Sequence, residues 1–443
     1  MIRLSDAEYE AARKVHNAAI DRRPALIVRC ADAGDVTKCV NFAREEGLLP
    51  AVRCGGHSFP GLSTCDGGIL IDLSAMKSIH IDPERRVARV GGGCTWSDFD
   101  QAAHAFGLAT PGGVVSTTGV AGLTLGGGFG HLTRRYGLSC DNLISADVVA
   151  ADGRMLRASA GENEDLFWAI RGGGGNFGVV TSFVFRLYPV NDVYVSFVLY
   201  PVESGEPALR FFDTFATEAP RELSAFFAYM IVPPAPPFPE ELHGKTLCGV
   251  VSVCSVDAER GEQLTRPLRE AAAPVFSIGH QAPYPAAQSM FDDLLPRGLY
   301  AYAKGDFVSN LSGPVIAEHV RHGPRIPTVN SAMHIYPLSG AVRDVPADAT
   351  AFAYRDVNFT HVIAALSHDS APMPRYREWV RTYWADLHPH SAGGAYVNFL
   401  MEEGGDRIAA SYRGNYSRLA AIKRRYDPRN LFRLNQNIPP LAA

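Results

Sequence analysis

The residues best suited to chemistry lie in three glycine-rich runs: Cys54-Gly55-Gly56-His57-Ser58 within 54–61, a long run over 111–130, and the stretch from Arg171 to Gly178. Successive glycine N–H groups with no Cβ in the way form concave anion sites. The run Arg53-Cys54-Gly55-Gly56-His57 therefore predicts a pyrophosphate as guest, and with it a dinucleotide. The spacing is neither G-x-G-x-x-G opening a helix nor G-x-x-x-x-G-K-[ST], so the two common nucleotide loops are ruled out. His57 with Cys54 and Cys65 lacks a fourth zinc ligand. The 8 cysteines are scattered singly, which predicts free thiols and no disulfide framework.

Elements that would position these runs are legible from the hydrophobic pattern. Short apolar segments at 25–30, 48–54, 68–74, 86–93 and 146–153 read as strands. They alternate with amphipathic stretches that have Asp35 and Ser97 in first-turn positions. From about residue 193 the texture changes to longer alternating strands, VYVSFVLYP, SAFFAYMIV, TLCGVVSVC, LYAYAKGDF, VNSAMHIYP and AFAYRDVNF, with a proline-rich loop at 233–240. The last segment is a basic helix stopped by Asp427-Pro428, followed by an extended tail. The fold class is α+β in two domains, 1–190 and 191–400, the second an antiparallel sheet backed by helices, with 401–443 returning to the first. On an alternating sheet His334 and Tyr336 share one face, and Tyr354, Asp356 and Asn358 share another. These, with Tyr136 and His361, are weaker candidates for a pocket, since a packed core residue is the plainer explanation for each.

Composition narrows the partners. Apolar residues make up 47% and charged residues 20% of 443, an ordinary globular balance. A net charge of −4 without a basic block excludes tracking of a phosphate backbone, so no nucleic acid partner is expected. The polar, amphipathic N-terminal stretch lacks a signal-peptide apolar core, and no run of about 18 apolar residues follows. A cytoplasmic protein with no membrane contact is the expectation; oligomeric state is not encoded in any of these features.

The stretches VRCGGHSFPG, ATPGGVVSTTGVAGLTLGGGFG, RRYGLSCDNL, DLFWAIRGGGGNFGVVTSF and YDPRNLFRLNQNIPP together resemble the vanillyl-alcohol-oxidase/cresol-methylhydroxylase superfamily, and within it the berberine-bridge-enzyme-like branch. The resemblance implies a two-domain PCMH-type FAD-binding fold in which 1–190 binds FAD, 191–400 binds substrate, and 401–443 closes on the FAD domain. It implies a covalent bond from His57 to the 8α carbon of the flavin. Many relatives add a second bond through a cysteine where this chain has Val115, so a single link is implied, with Cys140 a buried small hydrophobe. Cofactor contacts are implied for Arg53, Cys54, Gly55, Gly56, Ser58, Thr117, Thr118, Gly119, Gly122, Gly126, Gly127, Gly128, Gly178, Val179, Val180, Asn398, Asn435 and Gln436. Tyr396 in AYVNFL resembles a tyrosine that acts as base, with Asn398 on the same strand face. A free tyrosine is a poor base at neutral pH, so neighbours would have to lower its pKa. The implied activity is oxidation of a small alcohol, sugar or secondary-metabolite hydroxyl, with O2 as acceptor and H2O2 as product. An amine substrate, a different electron acceptor, and a non-catalytic flavin carrier are the competing expectations.

Overall fold

The computed structural model describes residues 1–441. Near the N-terminus a four-stranded sheet has the order Ile2–Arg3, Leu26–Arg29, Ile69–Asp72, Pro50–Arg53, the last three strands parallel. Such parallel strands need a crossover, and Ala33–Glu45 supplies one. Its first turn is capped by the Asp32 carboxylate, which accepts from the Asp35 N–H at 3.0 Å. An antiparallel five-stranded sheet follows, in the order Ile79–Asp82, Val87–Gly91, Val179–Arg186, Leu143–Val149, Met155–Ser159. Helix Trp96–His104 starts at a reciprocal cap in which Thr95 and Asp98 bond each other's backbone N–H. These two sheets carry all three glycine runs on their connections, and the 111–130 run includes a short helix, Val120–Leu125.

The third sheet is a seven-stranded antiparallel layer in the order Phe276–Pro283, Asp192–Pro201, Thr246–Cys254, Leu223–Ile231, Ala332–Pro337, Phe359–Ser367, Tyr300–Val308. Period-2 alternation divides its side chains between two apolar faces. Phe227, Tyr229, Met333, Ile335 and Ile363 pack against Phe212, Leu268, Ile316 and Val380 of the covering helices Gly205–Glu218, Ala258–Glu270, Gly313–His322 and Met373–Leu387. Phe226, Ala228, Ala332, Tyr336, Val362 and Ala364 point to the opposite side, toward the glycine runs, with Phe129 and Tyr396. Helix Tyr416–Tyr426 then brings the chain back to the first sheets, where Leu419, Ile422 and Tyr426 pack with Leu166, Trp168 and Phe177. Among the described residues no helix is long and apolar enough to cross a membrane.

Two strand expectations are corrected here. AFAYRDVNF is not a strand: residues 351–358 form an irregular connection and the strand is Phe359–Ser367. The connection is held by Arg355, whose guanidinium makes two 2.7 Å bonds to the buried Asp141 carboxylate. Tyr354, Asp356 and Asn358 therefore share no sheet face. AYVNFL is likewise a tight turn, with a 3-10 helix over Val397–Phe399.

Candidate active site

Between the glycine runs and the inner face of the large sheet lies a cavity of about 430 Å³. Its floor is backbone. The 53–57 and 117–119 loops approach so closely that a Cβ on Gly55 would sit 2.4 Å from the Gly119 nitrogen, and one on Gly119 would sit 2.5 Å from Cys54 Sγ. Only glycine at both positions lets these loops abut. Gly122 and Gly175 also line the cavity, with open space where a Cβ would be.

His57 projects from the first loop with Nε2 3.1 Å from Thr117 Oγ1 and its ring centroid 4.0 Å from that of His16. Burial, together with the adjacent His16 and Arg297, holds its pKa well below the ordinary imidazole value. It is a neutral imidazole at physiological pH. Arg53 sits at the end of the strand behind the loop, where the sheet register sets it opposite Asp72. Its guanidinium bonds Asp72 Oδ2 at 2.7 Å and the Lys14 carbonyl at 3.2 Å. That charge is spent on bracing the strand pair that presents the loop, and the side chain stands off the cavity.

Tyr396 lines the opposite wall with its oxygen accepting from two donors, the Gly128 N–H at 3.1 Å and Asn398 Nδ2 at 2.8 Å. Burial raises its pKa, and the Asn398 amide and Gly128 N–H oppose that rise by favouring the phenolate. The turn at 397–399, and not a shared strand face, brings Asn398 onto the phenol, while its amide also donates to the Leu123 carbonyl at 3.2 Å. The run Gly126-Gly127-Gly128 supports this arrangement from below and does not itself line the cavity. A Cβ on Gly126 would overlap the Asn398 amide at 2.5 Å, and one on Gly127 would meet the Phe352 ring at 2.8 Å.

The remaining candidates distribute as follows. Cys54, Gly56, Ser58, Thr118, Gly178, Val179, Val180, Asn435 and Gln436 line the cavity, as does Val115; Thr117 reaches it through His57. Cys140 lies away from it, buried, with its thiol pKa pushed up by burial. His334 and Tyr336 point into the cavity together, as their alternation predicts, with His334 Nδ1 2.6 Å from Tyr336 Oη. Tyr136 and His361 do not reach it. Burial pushes His334 down to about 4 and Tyr336 up. His16, Phe129 and Tyr412 were not anticipated: the first lies in an N-terminal segment without motif, the second is a lone aromatic amid glycines, and the third is one of many tyrosines on helices.

The cavity fits a dinucleotide flavin. Its floor of bare backbone suits close approach of a phosphate and a ring, and two of its lining residues hold buried polar atoms with no protein partner, Asn435 Oδ1 and Tyr412 Oη. A buried polar atom in this position calls for a ligand partner.

Comparison with known proteins supplies the kinship. Residues 24–159 match the FAD binding domain family, and residues 395–439 match the family described as berberine and berberine like. An FAD-linked oxidoreductase of Dictyostelium discoideum is 34% identical over 100% of this chain and 94% of its own length. The chain belongs to the berberine-bridge-enzyme-like family of FAD-linked oxidoreductases. (R)-6-hydroxynicotine oxidase of Paenarthrobacter nicotinovorans is 32% identical, covering 98% of this chain and 95% of that protein. The crystal structure of 6-hydroxy-D-nicotine oxidase from Arthrobacter nicotinovorans superposes with a TM-score of 0.88 at 29% identity, covering 99% of this chain and 97% of that one. In this oxidoreductase the motif residues of the two matched segments, His57 and Tyr396, face one cavity although more than 300 residues separate them in the chain.

Proposed function

We propose that this oxidoreductase is an oxidase for a small alcohol, holding FAD covalently through His57 alone and delivering the substrate's two electrons to O2 as H2O2. When bound, FAD supplies the two-electron acceptor ring and its reoxidation by O2. The chain's own residues supply the rest. Tyr396 is the observation that carries the reading: burial raises its pKa where the sequence called for a lowered one, the two hydrogen bonds its oxygen accepts offset part of that rise, and its phenolate form takes the proton of a substrate hydroxyl. Asn398 holds it in place. His57, kept neutral by burial and bonded at Nε2 by Thr117, has an uncharged ring nitrogen available for the flavin linkage. Val115 lines the cavity where doubly linked relatives carry cysteine, which supports a single bond. Gly122 and Gly175, with open space where a Cβ would be, would admit the pyrophosphate and ring, and Asn435 offers an unpartnered carbonyl oxygen.

The linkage is tested by acid precipitation. Yellow colour should stay with the wild-type pellet and wash out of a His57→Ala pellet; colour retained by the variant would refute the single histidyl bond. Anaerobic mixing with an alcohol should bleach the flavin, and readmission of air should release H2O2 in proportion to substrate consumed. Bleaching without peroxide would make the protein a dehydrogenase, and no bleaching by any alcohol would remove the activity.

A further inference from the structure

The upper part of the cavity, away from the glycine floor, has a chemistry of its own. Among the described residues that line it there is no Asp, Glu, Lys or Arg. The Phe129 ring lies 4.8 Å from that of Tyr396 and 5.1 Å from that of Tyr336, and the Phe226 ring lies 5.1 Å from Tyr336 and 4.8 Å from His334. Phe399 meets Tyr396 edge-on at 5.0 Å. The tyrosine base and the His334–Tyr336 pair thus stand at two ends of one aromatic wall. In that pair a single proton lies between Nδ1 and Oη. If Tyr336 donates it, the His334 Nε2–H is left over; if His334 donates it, the Tyr336 O–H is left over. Either tautomer presents one donor beyond the shared bond.

We infer that the substrate is an uncharged, flat aromatic alcohol with a second hydrogen-bonding group, its ring held by Phe129, Phe226 and Phe399 and that second group bonded by the His334–Tyr336 pair. The inference rests on the alcohol-oxidase reading for its reactive end alone. An ionised group here would be stripped of water and left without a counter-charge. A carbohydrate carries a hydroxyl on nearly every carbon, and the wall offers partners to few of them, so most would be buried unpaired. An aromatic ring instead exchanges water for offset and edge-to-face contacts.

The test uses the FAD-loaded enzyme under anaerobic conditions and one aryl methanol in four forms: unsubstituted, and with a ring hydroxyl, a ring carboxylate or a protonated aminomethyl group. A disaccharide is the fifth ligand. Kd is read from the shift in flavin absorbance and reaction from its bleaching. The hydroxylated compound should bind at least tenfold more tightly than each of the other four. In His334→Phe and Tyr336→Phe, whose flavin absorbance reports that they are folded, its advantage over the unsubstituted compound should fall to within twofold, with the loss in Kd exceeding that in the limiting bleaching rate. Equal or tighter binding of a charged form or the disaccharide, survival of the advantage in both variants, or no binding by any of the five would overturn the inference. Tight binding of the hydroxylated compound with the flavin still oxidised would instead defeat the alcohol-oxidase reading while the pocket assignment stands.

Discussion

A phenol that is buried, and so driven toward its neutral form, is given two hydrogen-bond donors that favour its anion. This opposition at Tyr396 has a kinetic signature. Flavin bleaching should quicken as pH rises, because the phenolate is the proton acceptor and its population grows toward the raised pKa. Asn398→Ala removes one donor, so the rising limb should move to higher pH and the rate near pH 7 should fall about tenfold. Tyr396→Phe should cost roughly 10²–10⁴-fold in the limiting rate, the usual weight of a positioned acid or base. Stopped-flow absorbance across pH checks both; an unshifted limb in Asn398→Ala would separate the amide from the phenol's ionisation. At this scale the sequence is legible where chemistry demands an unusual local pattern. Bare glycines around His57 stand out from ordinary turns, whereas Tyr396 and Asn398 are marked only by the resemblance of AYVNFL to a family segment, and the strand face expected to join them is a turn. His16 and Phe129 do not, because nothing adjacent in the chain marks a residue whose role comes only from what the fold sets beside it.

The elements that hold these residues are joined by a few buried polar clips. The most consequential is at the C-terminal helix, where Lys423 Nζ, fully buried, bonds Asp427 Oδ2 at 2.6 Å, the Asn176 carbonyl at 2.7 Å and the Phe432 carbonyl at 2.9 Å. Asp427 accepts in turn from the N–H groups of Leu431 and Phe432. One ammonium thus ties the helix end, the third glycine run and the tail that carries Asn435 and Gln436. Lys423→Met leaves Asp427 as an unpaired buried charge and should destabilise the protein by about 3–5 kcal/mol. Lys423→Met combined with Asp427→Leu should recover part of that loss, which urea unfolding of the two variants measures. The Asp427-Pro428 helix stop was readable from local rules, and the Lys423 clip was not, because Asn176 is some 247 residues away. The strand Phe276–Pro283 escaped notice for a related reason. It is a sheet edge with one neighbour, so it tolerates Ser, Gly, His and Gln where an interior strand would not.

Across the whole molecule, one sheet with two apolar faces serves two purposes: its outer face builds a helix-covered core and its inner face walls the cavity. The longer strands and their antiparallel texture follow from alternation alone, but which face turns toward the glycine runs is settled only by packing. That packing buries histidines that no ligand role accounts for. His361, on the helix-covered side, has neither ring nitrogen bonded, and His131 has its Nε2 unpartnered. Burial lowers both to about 4 from an ordinary 6.5. In the unfolded chain these rings protonate near pH 6.5, whereas in the folded protein they resist until about 4. Between those values the unfolded state binds more protons, so stability must fall as pH drops through that window. Each histidine contributes a loss approaching about 3 kcal/mol at the acid end. The urea midpoint should therefore decline steeply from pH 6.5 to 4, and His361→Leu should flatten the decline by roughly one histidine's share, since leucine has no proton to bind. An equally steep decline in His361→Leu would mean that the acid lability arises elsewhere in the fold.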